Sequence, residues 1–355
     1  MKINHKQLTF AREYRGYSQT ELSSMIEGLS QPNLSKFEKG LSTLSDELLI
    51  KIISFLDFPF EFLSKNIFNE SETAHYRKRT TITKKDRTNI EHSYKLIGYL
   101  VDEMADSLMW PEFTFKTLDL EDGFTPQYVA NHTRKFLGLK PNEPVRDICT
   151  LLEINGIIIV ELDVIDKFDG VSFVSDDGYP IIVINKNFSN DRKRFTIAHE
   201  LGHLLMHSIN NPAIPAHRDK MLENEANEFA SEFLMPKEAI KNSLYHLRLS
   251  YLAELKRYWL TSMASIIRRA KDLGCISNDT YTYLNIEFSR KGLKKDEGLN
   301  VYIDTPELFK KGYFMHKNEL AYSDFELASG FSLPIDVIKK YCDTNRNQSK
   351  LKVLI

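Results

Sequence analysis

Cysteine is scarce in this chain. There are three in 355 residues, Cys149, Cys275 and Cys342, far apart and never paired as CxxC. That excludes a disulfide framework and a cysteine-based zinc knuckle. Scattered thiols suit a reducing compartment, where free cysteines act as small buried hydrophobes. Long apolar runs are lacking too. The longest, "GIIIVEL", is strand-sized, well short of the roughly 20 residues a bilayer span needs. The opening "MKINHKQLTFAREYRG" is polar, with no signal core. The expectation is a soluble, cytoplasmic chain with no membrane partner. Excess charge is also missing: the formal net charge is −2, so the whole chain is no polyelectrolyte partner for nucleic acid. A local basic surface remains open. No internal repeat and no low-complexity segment occurs, and the length allows two or three domains.

What is present falls into four parts. Residues 1–66 read as short helices. "QLTFAREYRG" places Leu8, Ala11 and Tyr14 at helical spacing and ends at Gly16. Ser18 and Glu21 form a capping box at the next start. Ser30 then caps a helix with Pro32 in its first turn and Gly40 as its stop. "LSDELLIKIISFLDF" supplies further turns. Residues 67–125 read as a basic linker, with Arg77, Lys78, Arg79, Lys84, Lys85 and Arg87 against Asp86, followed by a connecting helix from Ile90 to Trp110. Residues 126–240 change character. Two amphipathic helices are followed by the β-branched run "IIIVELD", then by "GVSFVS–DDG–YPIIVIN", a hairpin with an Asp-Gly turn. Two more helices close this part, the second stopped by Pro236. Residues 241–355 read as helical, clearest in "LTSMASIIRRAKDLG" and "LPIDVIKKYC", and carry no motif. The expected fold is α+β and mostly helical: an all-α head, a central domain with a small sheet, and a helical C-terminal part for partner binding or sensing.

The chemistry concentrates in "RFTIAHELGHLLMH", Arg194 to His207. His199 and His203 are four apart and share a helix face. Two imidazoles so placed can grip one zinc ion, and Glu200 between them can reach water at that ion as general base. Ile197, Ala198, Leu201, Leu204 and Leu205 would pack inward, and Gly202 would let another segment come close. A catalytic zinc needs a third protein ligand and an open fourth position. "ENEANEFASEFLMP" offers Glu223, with Asn227 one turn on to orient a histidine ring. Helix geometry favours Glu223, with Glu225, on another face, as the alternative. His207 reads first as a helix-end histidine that suits the macrodipole, and His217 is a weaker candidate still. The hairpin from Gly170 to Asn185 offers an exposed strand edge, to which an extended peptide substrate can add by main-chain hydrogen bonds.

These segments, with "LLEINGIIIVELD" and "IIVIN", resemble the ImmA/IrrE family of zinc metallopeptidases over Gln127 to Lys237. The family is of gluzincin type, so the resemblance implies His199, His203 and Glu223 as Zn2+ ligands and Glu200 as the catalytic acid/base. Asn227 stands where many gluzincins have Asp, which fits this family but gives the histidine a weaker partner. Family members are linked to cleavage or inactivation of repressors in phage, mobile-element and stress control. Not all show protease activity.

"YSQTELS" and "LSQPNLSKFEKG" have helix-turn-helix spacing. A second helix from Ser30 would enter the major groove by its N-terminus. Gln31 and Asn33 carry amides able to read adenine, and Lys36 and Gln19 would meet phosphate. The segment resembles the XRE (Cro/CI-type) family over Leu8 to about Leu63. Its turn "MIEGLS" is one residue longer than the commonest form. Its charge is balanced, eight Lys/Arg against eight Asp/Glu, so the basic linker is the candidate for phosphate neutralisation.

Together these readings predict a DNA-binding regulator, homodimeric on a double-stranded operator, fused to a zinc endopeptidase. That endopeptidase would cleave a repressor, an antitoxin or the chain itself. The rival expectation is a non-proteolytic autoregulator, or the antitoxin of a toxin–antitoxin pair, using the zinc fold as sensor or toxin-binding surface.

Overall fold

The computed structural model describes residues 2–65, 75–76, 83–165, 167–207 and 219–342. The expectations for Arg77, Lys78, Arg79, His217 and residues 343–355 lie outside the described residues.

Five short helices open the chain: α1 (His5–Tyr14), α2 (Gln19–Met25), α3 (Gln31–Glu38), α4 (Asp46–Leu56) and α5 (Phe60–Ser64). Local side chains set their starts. The Ser18 hydroxyl accepts from Glu21 N–H while the Glu21 carboxylate accepts from Ser18 N–H, completing the capping box. Ser30 caps α3 and Ser45 caps α4 in the same sense. Gly40, at φ +68°, turns the chain out of α3. Leu8, Leu22, Leu34, Ile52, Leu56 and Phe62 are buried and close the core of this head.

A two-residue strand, β1 (His75–Tyr76), precedes the long helix α6 (Lys84–Ala105). This helix starts before Ile90, where the apolar pattern begins. Thr83 accepts from Asp86 N–H and caps it, and Arg87 pairs with Glu91 one turn on, so polar residues carry its first turns. It also stops at Ala105 rather than running to Trp110, which folds back so that its Nε1 donates to Val101 O at 3.0 Å.

Helices α7 (Pro126–Phe136) and α8 (Ile148–Glu153) lead into β2 (Ile158–Leu162), β3 (Gly170–Val174) and β4 (Pro180–Asn185). The sheet order is β1-β3-β4-β2. β3 pairs antiparallel with both β4 and β1, while β2 runs parallel to β4. Next come α9 (Asn190–Met206), α10 (Asp219–Leu234), α11 (Lys237–Ile240), α12 (Leu249–Trp259), α13 (Met263–Asp272), α14 (Asn278–Arg290), α15 (Leu308–Phe314), α16 (Asp324–Gly330) and α17 (Ile335–Cys342).

The sheet separates two apolar cores, and alternate residues of its strands serve each. Ile159, Ile182 and Ile184 pack with α9, α10, α12, α13 and α14. Ile158, Val160, Val171, Phe173 and Val183 pack with α6, the helical head, α15 and α17. A sheet covered on both faces explains why β2 and β4 read as unbroken β-branched runs. The C-terminal third therefore supplies both sides. Two carboxylate contacts tie α8 to the C-terminal third. Asp304 accepts from the N–H groups of Cys149 and Thr150 at the start of α8. Buried Glu153 accepts from Glu307 and Leu308 N–H at the start of α15.

Candidate metal centre

Helix α9 is buried along almost its whole length because it lies between sheet and helices. Its start is anchored by Arg194, whose guanidinium donates to the carbonyls of Leu260, Arg146 and Val145. Burial lowers the Arg194 pKa to about 10. At that end Lys256 also bridges Asp191 and Glu297 at 2.9 and 2.6 Å. With its start held, the helix can place side chains reproducibly on either flank.

Two glycines set the separations around it. A Cβ at Gly170 of β3 would lie 2.6 Å from the Thr196 methyl and 3.5 Å from Glu200 Cγ, so only glycine lets the strand lie this close to α9. A Cβ at Gly202 would lie 3.0 Å from the Phe229 ring and 3.3 Å from its Cβ. The missing side chain there lets α10 approach, and α10 delivers Glu223.

The result is a compact donor cluster. His199 Nε2 and His203 Nε2 are 3.0 Å apart, and each lies 3.5 Å from a carboxylate oxygen of Glu223. All three donors fall within 4.8 Å of one another, in a group able to hold a metal ion. Tetrahedral ligands at about 2.0–2.1 Å from zinc sit about 3.3 Å from each other, so these spacings fit that ion. Both histidines are buried and Glu223 is half-buried. Burial alone would raise the Glu223 pKa, but hydrogen bonds and charge from His199 and His203 hold it well below the usual carboxylate range.

The far ring nitrogens are held as well. His199 Nδ1 is 3.1 Å from Asn227 Oδ1. His203 Nδ1 is 2.9 Å from His207 Nδ1, and His207 Nε2 is 3.1 Å from Glu225 Oε2. A neutral ring that turns Nε2 to a metal carries its proton on Nδ1. His199 then donates to Asn227, and His203 donates to His207, which donates onward to Glu225. Glu225 thus lies in a relay behind His203, apart from the donor cluster, and His207 links the two. Sequence spacing could not show this, because it depends on which side of α9 faces α10. The i+4 step from His203 to His207 was the available signal.

Glu200 occupies the other flank, buried against β3, where Ser172 Oγ donates to its Oε2 at 2.8 Å. The hairpin edge expected to be open is instead partly taken: β1 pairs His75 with Ser172 and Tyr76 with Val171. A strand buried on both faces with one unpaired edge is an acceptor for any extended segment, and here the chain's own segment lies there.

In the head, Asn33 and Lys36 of α3 are exposed, while Gln19 and Gln31 are half-buried. Gln31 Nε2 donates to Gln19 Oε1 at 2.9 Å, and Gln19 Nε2 donates to Glu38 Oε2 at 2.7 Å. Glu38 in turn pairs with buried Arg12. This network fixes the two glutamines at the start of α2 and α3 and leaves Asn33 and Lys36 as the freely presented side chains.

Fold and site together define a chain in which a five-helix head is joined to a His/Glu cluster able to hold a metal ion. Residues 153–271 match the family model for the IrrE N-terminal-like domain, a peptidase family, and residues 10–63 match that for the helix-turn-helix domain. The chain thus carries one segment matching each of these two families. It is similar to a solved Mycobacterium tuberculosis transcriptional regulator at 16% identity and a TM-score of 0.32, over 48% of this chain and 50% of that one. No curated protein matches. No described helix is long and apolar enough to cross a membrane.

Proposed function

We propose that this protein is a DNA-binding regulator with a zinc-dependent endopeptidase built into it. One observation carries the reading: His199, His203 and Glu223 converge to zinc-ligand spacing, and on the helix of the two histidines Glu200, the residue after His199, is held by Ser172. Zinc bound there would supply Lewis acidity to a peptide carbonyl and to water. Glu200 takes the proton of the attacking water and passes it to the leaving amine. Ser172 holds Glu200 in place for both transfers. Asn227 and the His207–Glu225 relay keep the histidine rings turned toward the metal.

The head would place α3 in the major groove of a double-stranded operator, with the chain as a homodimer on a palindrome. Asn33 would read a base, Gln31, braced by Gln19, would read its neighbour, and Lys36 would meet phosphate. The substrate would be a protein of the same control circuit: a repressor, an antitoxin or the chain itself, in the cytoplasm.

The test pairs bound-metal analysis with incubation of zinc-loaded chain and candidate proteins, beside Glu200→Gln. Cleavage lost only in the variant is the expected outcome. Zinc bound at one per chain without cleavage of any partner favours the rival reading, a zinc-stabilised autoregulator or antitoxin.

A further inference from the structure

Taking the peptidase reading as its basis, we propose that the segment at His75–Tyr76 is an intramolecular occupant of the peptide-binding edge. While docked, it closes the site to outside peptides. Three observations carry this. First, β1 pairs antiparallel with β3 at Ser172 and Val171, the edge an extended peptide would use. Second, Ser172, the partner of His75, is the residue whose hydroxyl holds Glu200, so the occupied register lies at the reacting end of the edge. Third, β1 is tethered on both sides, to α5 ending at Ser64 and to α6 starting at Lys84.

Short tethers matter because the pair is only two residues long. Two residues of ladder bind more weakly than a longer strand would, so tethering decides the competition. A segment confined by linkers of this size acts at an effective concentration of about millimolar. It therefore outcompetes peptides present at micromolar levels, yet yields to a partner that binds more of the edge or pulls on the linker. β4 already covers the other side of β3, so no second edge of β3 remains to a substrate.

The probe is a fluorescein-labelled peptide with the sequence of residues 70–81, ESETAHYRKRTT. It is titrated against the full-length, zinc-loaded Glu200→Gln chain, which cannot consume it. The comparison chain adds His75→Pro and Tyr76→Pro, which remove two donors and bar the segment from the ladder. The proline-bearing chain should bind the peptide at least tenfold more tightly, and its amides across residues 170–174 should exchange faster with solvent. A second chain, with residues 73–78 replaced by Gly and Ser, should behave likewise and guards against misfolding of the first. A peptide with proline at the positions of His75 and Tyr76 should bind neither.

Equal affinity in all chains, or no binding to any, overturns the proposal. Tight binding only to the proline-bearing chain, with Glu200-intact enzyme cutting no peptide, keeps the strand assignment and removes the peptidase reading. Equal cleavage of outside peptides with and without the prolines does the reverse.

Discussion

A single missing methyl group governs how close α10 comes to α9. Gly202 faces Phe229, and a branched side chain there meets its ring and its Cβ at once. Gly202→Val should therefore push Glu223 away and lower zinc affinity at least tenfold in a chelator competition, with helical circular dichroism retained. Unchanged affinity would show that the close approach is dispensable. Asn227 acts at the other side of His199. Asn227→Ala leaves the three donors intact but frees the ring, and such changes lower metal affinity by about 10–100-fold. The same competition reads it out, and Glu225→Ala should give a smaller loss because it acts on His203 through His207. The convergence of His199 and His203, and the place of Glu200, were legible in the sequence because helix periodicity alone sets them on one helix. Glu223 required a guess about the face of a second helix. The Glu225–His207 relay was illegible, since two helices must be docked before the two residues meet.

Elements show the same division between local and distant causes. The starts of α2 and α3 could be read from Ser18, Glu21 and Ser30, because a cap lies within four residues of what it caps. Ser30→Ala should cost the head about 1 kcal/mol in chemical denaturation. Strand β1 could not be read: two residues carry no periodicity, and their partner lies almost a hundred positions away. The link between α8 and α15 was equally hidden. Glu153 sits at the end of one and accepts from the first N–H groups of the other. Burial raises its pKa to about 7, against the opposing pull of those backbone donors. The folded chain then keeps a proton that the unfolded chain releases near pH 4.5. Between those values the folded state binds more protons, so its contribution to stability falls as pH rises through the window. Denaturation midpoints should drop from pH 5 to pH 8, and Glu153→Gln should flatten that drop. A variant with the same slope as the parent would assign the dependence to another group.

Across the whole molecule, the head is held to the rest by α6 and α17. Arg15 pairs with Asp336 at 2.6 Å, and Tyr341 is buried with its hydroxyl near Ser93 and Tyr14. These are unequal ties. Asp336 is half-exposed, so Asp336→Ala should change stability by less than about 1 kcal/mol. Tyr341→Ala empties a core position and should cost about 3–5 kcal/mol. Denaturant titration of both separates the contributions. The division of the C-terminal third between two cores left no trace in its sequence, because an amphipathic helix shows that it has an apolar face but not which neighbour receives it.

The sheet gives this arrangement a communication length. Ser172 and Phe173 are consecutive in β3 and point to opposite sides. The first holds Glu200, and the second packs its ring 5.3 Å from Tyr94 on α6, the helix that carries the head. The side of the sheet that faces α6 and the side that faces Glu200 are therefore joined here through a single peptide bond. Any rotation of β3 would move both contacts together, the ring against Tyr94 and the hydroxyl on Glu200.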